Sequence, residues 1–359
     1  MKSIDSIRQF FTILRREEKM RHRDIAEKLE ISEGELIGAH VDARLAPTEI
    51  GGLQAIRLCS EWSEIISSVE FLGEVMALTR NKSCVHEKVG VYKHASKRGP
   101  IGLLVGEIDL RIFYETWAHG FAVHEVTKNG RHRSLQFFDK SGAAVHKIHL
   151  KPQSIVEFFD ALVAKFKSGD QAPGIEVLGL DKPVVEIPDR EINIGRSHQA
   201  WCDMKDTNEF YDLLKKFNVN RAQGLRLAKP EFTQEVCVSC IRDLLDIVVN
   251  TKTSIMVFVG NPGVIQIHSG PVKNVVHMKA WINIMDPRFN LHLRADHVAQ
   301  VWVVRKPTVD GIVTSIELFD EQGETIAMFF GERKPGNPEL DSWRSLVQGL
   351  VEKSATVSA

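Results

Sequence analysis

The sequence predicts an α+β fold made of two tandem structural repeats, each a large antiparallel sheet with flanking helices. Three observations lead there. The chain matches itself at a shift of about 180 residues, short strand-like runs follow one another with turn signals between them, and amphipathic helical segments recur at corresponding places in each half.

The self-match holds through three separated blocks. Asn81 and Gly90 fall on Asn261 and Gly270 at a shift of 180. Asp109-Leu110-Arg111 falls on Asn290-Leu291-His292, and the run Ser134 to Asp139 falls on Ser315 to Asp320, both at a shift of 181. A glycine turn closes each copy of that run, at Gly142 and Gly323. A shift this constant points to an internal duplication.

Each copy opens with two helical segments. Residues 4–16 carry Phe10, Phe11 and Leu14 at one-face spacing, and residues 23–29 follow. Their counterparts are residues 208–216, with Phe210, Tyr211 and Leu214, and residues 221–227. Apolar runs of strand length come next (IMVFVG, GVIQIHSG, AWINIM, NLHLRA, VAQVWVVRK, VTSIELFD, TIAMFFGE), and the polar turns FDKSG and FDEQG suggest antiparallel meanders. Each half ends in an amphipathic helix, residues 154–167 and 341–351, with Ser154 and Asp341 as expected N-caps. Three prolines and four glycines across residues 167–196 mark a linker. The expected organisation is a repeat over residues 1–168, a linker over 169–197 and a second repeat over 198–359.

Composition bounds the function. The 359 residues suffice for roughly two domains. With 46 Lys and Arg against 47 Asp and Glu, no global basic field exists, which argues against a dedicated nucleic-acid binder. No apolar stretch approaches the length of a membrane span, and the N-terminal segment lacks a signal-peptide pattern. Five cysteines are too few for a disulfide framework, so a reducing cytoplasm is the expected setting.

Several familiar devices are absent from the sequence: the P-loop, the dinucleotide fingerprint and the nucleophile elbow. Cys237-Val-Ser-Cys240 lacks two further zinc ligands at suitable spacing and reads as buried structural thiols in a helical segment, EVCVSCIRDLLDIV. The stretch RHRDIAEKLEISEGELIGAHV resembles a helix-turn-helix, with Ala26, Leu29 and Ile31 at its packing positions. Glu33 and Glu35 on its second helix would repel phosphates, so a small helical pair packed on a sheet is the better reading.

Histidine is the informative residue type. Of fourteen, His86, His146, His149, His268, His277 and His292 fall on strand-like runs or their boundaries, and no set has metal-cluster spacing beside carboxylates. A single axial imidazole among apolar and cationic residues is what a haem pocket requires. The porphyrin needs apolar walls, and the propionates need Arg or Lys.

These residues carry a resemblance. AEKLEISEGEL, VHEKVG, IDLRIF, SLQFFDKSG, FYDLLKKFNVNRAQGLRL, IMVFVGNPGVIQI, MKAWINIMDPRFNLHL, VWVVRKPTVDGIVTSIELFD and FFGER together resemble the HemS/ChuS/PhuS-type hemin-degrading factor family over nearly the whole chain. The resemblance implies haem bound between the two halves, with an axial His on a C-half helix and an N-half Arg on the opposite face. That Arg is Arg111 here, the implied pocket cations are Arg221, Lys306 and Arg333, and a second implied haem ligand is His86. The chain departs from the family pattern at two places: Asn208 stands at the axial His position, and Phe330 replaces a pocket tyrosine. Iron would then be ligated by a nearby His (His198, or His268 or His277), or haem would sit around His86, or binding would be weak and catalysis lost.

The implied activity is oxidative, haem oxygenase-like degradation releasing iron, with Arg111 donating hydrogen bonds to oxygen species on the iron. The alternative is a non-catalytic haem carrier, and a weaker one is a DNA-binding regulator. Implied partners are haem, an external reductant if the chain is catalytic, the haem import transporter or a downstream acceptor, and a second copy of the chain as a homodimer. Neither nucleic acid nor membrane insertion is expected.

Overall fold

A computed structural model describes residues 3–44, 50–179, 186–334 and 336–357. Residues 180–185 of the expected linker lie outside the described residues. The chain divides into two compact units. The first comprises Met1–Arg80, Glu87–Lys182 and Asn261–Gln266, and the second Asn81–His86, Pro183–Gly260 and Ile267–Ala359.

The first unit opens with three helices, α1 (Ile4–Ile13), α2 (His22–Lys28) and α3 (Glu33–Gly38). Ser3 caps α1 by accepting from the Ser6 N–H, and Ser32 with Glu35 forms a capping box on α3. Then come β1 (Leu53–Arg57), α4 (Trp62–Ser68), β2 (Glu74–Arg80), β3 (Cys84–Val91), β4 (Ser96–Arg98), β5 (Ile101–Leu104) and β6 (Asp109–Phe113). The long hairpin β7 (Trp117–Thr127) and β8 (Gly130–Asp139) leads into β9 (Ala144–Leu150) and α5 (Val156–Phe166). Antiparallel pairing gives the order β1-β7-β8-β9-β2, and β4, β5 and β6 pair as a meander. Strict alternation along β2 turns Val75, Ala77 and Thr79 inward. Helix α5 covers that sheet with Phe159, Leu162, Val163 and Phe166.

The second unit repeats the plan. Helices α6 (Ile194–Cys202), α7 (Glu209–Phe217) and α8 (Arg221–Arg226) precede β10 (Thr233–Val236) and α9 (Cys240–Thr251). Strands β11 (Ile255–Asn261), β12 (Val264–Gly270), β13 (Val275–Met278), β14 (Trp281–Asp286) and β15 (Phe289–Arg294) come next. The chain finishes with β16 (Gln300–Thr308), β17 (Gly311–Phe319), β18 (Thr325–Gly331) and α10 (Asp341–Val357). The order β10-β16-β17-β18-β11 and the meander β13-β14-β15 match the first unit strand for strand. The core joins Leu244, Leu245 and Val248 of α9 to Trp343 and Leu350 of α10. The expected α+β class, with a large antiparallel sheet in each repeat, is the class observed.

The matched asparagines show the duplication at atomic level. Asn81, in the β2–β3 turn, accepts from the Ser83 and Cys84 N–H groups (2.9 and 2.8 Å) and donates to the Gly260 and Ile326 carbonyls (3.2 and 2.8 Å). Asn261, in the β11–β12 turn, accepts from Gly263 and Val264 (3.0 and 3.2 Å) and donates to Arg80 and Val145 (3.0 and 2.8 Å). The partners correspond at the repeat shift. Each turn belongs to the compact unit built mainly from the other repeat.

Local expectations differ in places. Ser154 does not cap α5, because its hydroxyl donates to the Glu74 carbonyl and accepts from the Lys151 N–H, and the helix starts later. Asp341 is the first residue of α10 rather than its cap, and that helix runs six residues beyond 351, to Val357. The segment EVCVSCIRDLLDIV is helical only from Cys240, since β10 takes its start. Phe10 and Tyr211, expected on buried faces, are exposed; Phe11 and Phe210 hold the buried positions, and a step of one residue turns the side chain a quarter turn around the helix. Glu33 and Glu35 of the helix-turn-helix-like stretch are structural. Glu33 pairs with Arg80 and Lys147 in a buried site, and Glu35 closes the capping box. No helix among the described residues is long and apolar enough to cross a membrane.

Each asparagine makes four hydrogen bonds at about 0.5–1.5 kcal/mol. Asn81→Ala and Asn261→Ala are therefore each expected to lower urea-unfolding stability by about 2–4 kcal/mol, and Asp at either position to cost no less, because a carboxylate would face two carbonyls. A loss below about 1 kcal/mol in both alanine variants would contradict the clamp role.

Candidate functional site

The site in the second unit is built around one buried carboxylate. Antiparallel pairing sets Lys306 opposite Val313 and Val304 opposite Ser315, so Lys306, Ser315 and Glu317 share one sheet face. Glu317 is fully buried, and three donors converge on it. Lys306 Nζ and Ser315 Oγ each donate to Oε1 at 2.8 Å. Arg221 donates from Nε to Oε2 at 2.6 Å and from Nη2 to Oε1 at 2.8 Å, a bidentate grip. Asn220 caps α8 through the Gln223 N–H and so places Arg221 at the first helical position.

Both cations lie over the Phe210 ring, Arg221 at 4.8 Å and Lys306 at 4.7 Å from its centroid, and Phe330 is 5.9 Å from Lys306. Burial alone would push the Glu317 carboxyl up, but Arg221 and Lys306 outweigh it and hold it far below the usual carboxylate range. Burial pulls Lys306 down to about 8, against the attraction of Glu317. The Lys306 side chain is 3% exposed and that of Arg221 24%, so Arg221 is the cation that meets solvent. Two cations share one carboxylate, which leaves one positive charge in excess.

The other sequence-derived residues lie apart from this cluster. Arg333, beyond β18, pairs with Asp310 at 3.5 Å and donates to the Asn337 carbonyl. Asn208 is the exposed N-cap residue of α7, and its N–H donates to Asp206 Oδ1 at 2.8 Å. His198, on α6, donates from Nε2 to the Leu227 carbonyl at 2.8 Å, at the end of α8 opposite Arg221. Arg111 is in the first unit, on β6, where it pairs with Asp109 and donates to the Leu104 and Leu110 carbonyls. His86, on β3, counts with the second unit and is buried against Phe289, on which His268 stacks at 3.8 Å. His277 is exposed, between Asp246 and Arg242. Of the implied pocket residues, then, the structure brings Arg221, Lys306 and Phe330 together.

The first unit carries the counterpart with its polarity changed. At the shift of 181, Ser315, Glu317 and Lys306 correspond to Ser134, Gln136 and Glu125. Gln136 is buried and donates to Ser134 Oγ at 3.0 Å. Glu125 pairs with Arg15 and His22, which outweigh burial and hold its carboxyl at about 2. Glu317 escapes a motif reading, where it serves only as the repeat partner of Gln136. Its sequence signal is Ser-x-Glu on a strand whose partner strand carries a lysine, and it acquires meaning only once α8 folds over the sheet.

Glu317→Gln strands two cations around a neutral amide and is expected to cost about 3–5 kcal/mol of stability at pH 7. Adding Lys306→Met should recover part of that loss, read as a coupling energy in urea unfolding. Because the folded carboxyl titrates below its unfolded value of 4.5, its contribution is present above that pH and lost as pH falls further. The gap between wild type and Glu317→Gln should therefore close in acid; a gap independent of pH would contradict the ionised pair.

Comparison with known proteins agrees with this duplicated plan. The haemin-degrading HemS/ChuX domain matches residues 31–166 and again residues 218–350. The hemin transport protein HmuS of Yersinia pestis is 36% identical over 333 residues, covering 92% of this chain and 93% of that protein. The crystal structure of holo-PhuS, a heme-binding protein from Pseudomonas aeruginosa, superposes with a TM-score of 0.92 at 39% identity, over 97% of this chain and 99% of that one. The heme-degrading enzyme ChuS of Escherichia coli O157:H7 gives 0.88 at 33% identity, over 97% of this chain and 100% of that one. The chain belongs to the haemin-degrading HemS/ChuX family.

Proposed function

We propose that this chain binds haem, with Arg221, backed by the charge of the buried Lys306, receiving a propionate, and that it carries haem rather than degrading it. The observation behind this reading is the cation pair fixed on Glu317 with one charge in excess, flanked by Phe210 and Phe330. In the first-unit counterpart Glu125 replaces Lys306 and takes up Arg15 and His22 as its own partners, which favours the second unit as the anion-receiving one. Arg333 is the third cation of the set and would exchange its Asp310 partner for a propionate.

The propionate end fits the residues present, and the iron end fits less well. Asn208 offers a carboxamide, a poor iron ligand, and His198 already holds the Leu227 carbonyl. Haem, when bound, would supply redox-active iron; Arg221 would neutralise a carboxylate, and Phe210 and Phe330 would offer aromatic surface beside it. A chain that offers iron no free imidazole at Asn208 or His198 would suit transfer from an importer to an acceptor in the cytoplasm. A second reading, oxidative degradation with an external reductant, is favoured by Arg111, which the resemblance matches to the family's N-half arginine. The relative ChuS is described as a heme-degrading enzyme.

Hemin titration followed by ascorbate under air separates these readings. Arg221→Ala, Lys306→Met and Arg333→Ala should each weaken hemin binding about tenfold or more, as loss of a charge-assisted pair of about 1.5–3 kcal/mol requires. Unchanged affinity in all three would refute the propionate site. Carriage predicts a Soret band that persists after reduction. Bleaching that Arg111→Ala slows, with hemin affinity kept, would establish degradation instead.

The iron ligand has its own test. Asn208→His should tighten hemin binding and give an imidazole-type ferric spectrum, whereas His198→Ala should leave the wild-type spectrum unchanged. Loss of an imidazole-type spectrum in His198→Ala, or in His86→Ala, would place the iron at that residue.

A further inference from the structure

The Cys237-Val-Ser-Cys240 turn, which the haem reading does not use, has the geometry of a redox pair. Cys237 directly follows β10 and Cys240 opens α9, so the two thiols stand in a strand–turn–helix corner with Ser239 at the N-cap. Their sulfurs approach to 2.7 Å. Ser239 Oγ donates to Cys237 Sγ at 3.3 Å, and the Cys237 N–H donates to Ser354 Oγ of α10 at 2.8 Å, which fixes the turn from both sides. Cys237 is half-buried and Cys240 fully buried, so one thiol is reachable and the other waits behind it. Val238 and Ser239 also line a pocket of about 230 Å³ together with Arg242 and Lys279, which gives a small co-reactant room beside the turn.

We infer that Cys237 and Cys240 form a redox-active dithiol, with Cys237 the attacking sulfur and Cys240 the resolving one, that exchanges with low-molecular-weight disulfides. The two thiols are unequal in the direction this needs. Burial raises Cys237, but the Cys240 thiol and the Ser239 and Ser354 hydroxyls outweigh it and hold Cys237 below the ordinary thiol range. Burial, then the contact with Cys237, pushes Cys240 up to about 12. In the exchange, Cys237 thiolate attacks one sulfur of the small disulfide, forms a mixed disulfide and releases the first thiolate. Cys240 then gives up its proton and attacks Cys237 Sγ, releasing the second. The protein pair loses two electrons and two protons, and the small disulfide becomes two thiols. The other three cysteines lack this arrangement. Cys84 is buried with its thiol pushed up by burial, Cys59 is half-buried and Cys202 is exposed.

The test uses the full chain without haem and so stands apart from the haem reading. Reduced protein is incubated with oxidised glutathione, quenched by alkylation and mapped by peptide mass. The expected result is loss of two hydrogens on the peptide holding residues 237–240 in the wild type. In Cys240→Ser, glutathione should remain attached at Cys237; in Cys237→Ser, that peptide should stay reduced. Alkylation near neutral pH should also run more than about tenfold faster at Cys237 in Cys240→Ser than at Cys240 in Cys237→Ser. Modification confined to Cys202, with the 237–240 peptide of folded wild type reduced throughout, would overturn the proposal, and this wild-type result decides even if a variant does not fold.

Discussion

The constraint on which the structure rests is the exchange of two asparagine turns. Asn81 is made by the first repeat and bonds within the second unit, while Asn261 is made by the second repeat and bonds within the first. Each side chain supplies two acceptor and two donor bonds, so each ties its own turn and two carbonyls of the neighbouring strands. Neither repeat alone contains the whole of a unit. Duplication therefore gave this fold more than two copies of a sheet, since each copy is completed by a short segment of the other.

Duplication also left a pair of equivalent sites free to diverge. The helical corner over the sheet is kept in both units, but its charges differ. In the second unit a carboxylate at the centre organises two cations; in the first, a glutamate replaces one of those cations and a glutamine replaces the carboxylate. A buried charge is costly unless paired, so each substitution required partners. Arg15 and His22 serve Glu125, and Arg221 and Lys306 serve Glu317. The haem reading depends on that divergence, because at these equivalent strand positions the second unit holds Lys306 where the first holds Glu125.

Much of the fold was legible in the sequence because its signals are local or periodic. The apolar runs of strand length, the repeat shift and the apolar stripes of α5 and α9 are each read from the chain alone. What was not legible depends on partners distant in sequence. Ser154 reads as a cap until the Glu74 carbonyl claims its hydroxyl, and Glu317 is only the repeat partner of Gln136 until α8 covers it. Cys237 and Cys240 read as inert buried thiols until the strand-to-helix corner exposes one and hides the other. Arg221 and Lys306 were named from resemblance, yet nothing in their spacing shows that they share one counter-ion. Asn208, conspicuous in sequence, lies exposed at a helix start, where its identity costs the fold nothing.

Hydrogen–deuterium exchange with and without hemin tests the placement most directly, because it reads position without altering a residue. The account predicts new protection over residues 209–226 and 300–319, the elements carrying Phe210, Arg221, Lys306 and Glu317. Protection confined to the first unit, with those segments unchanged at saturating hemin, would contradict it.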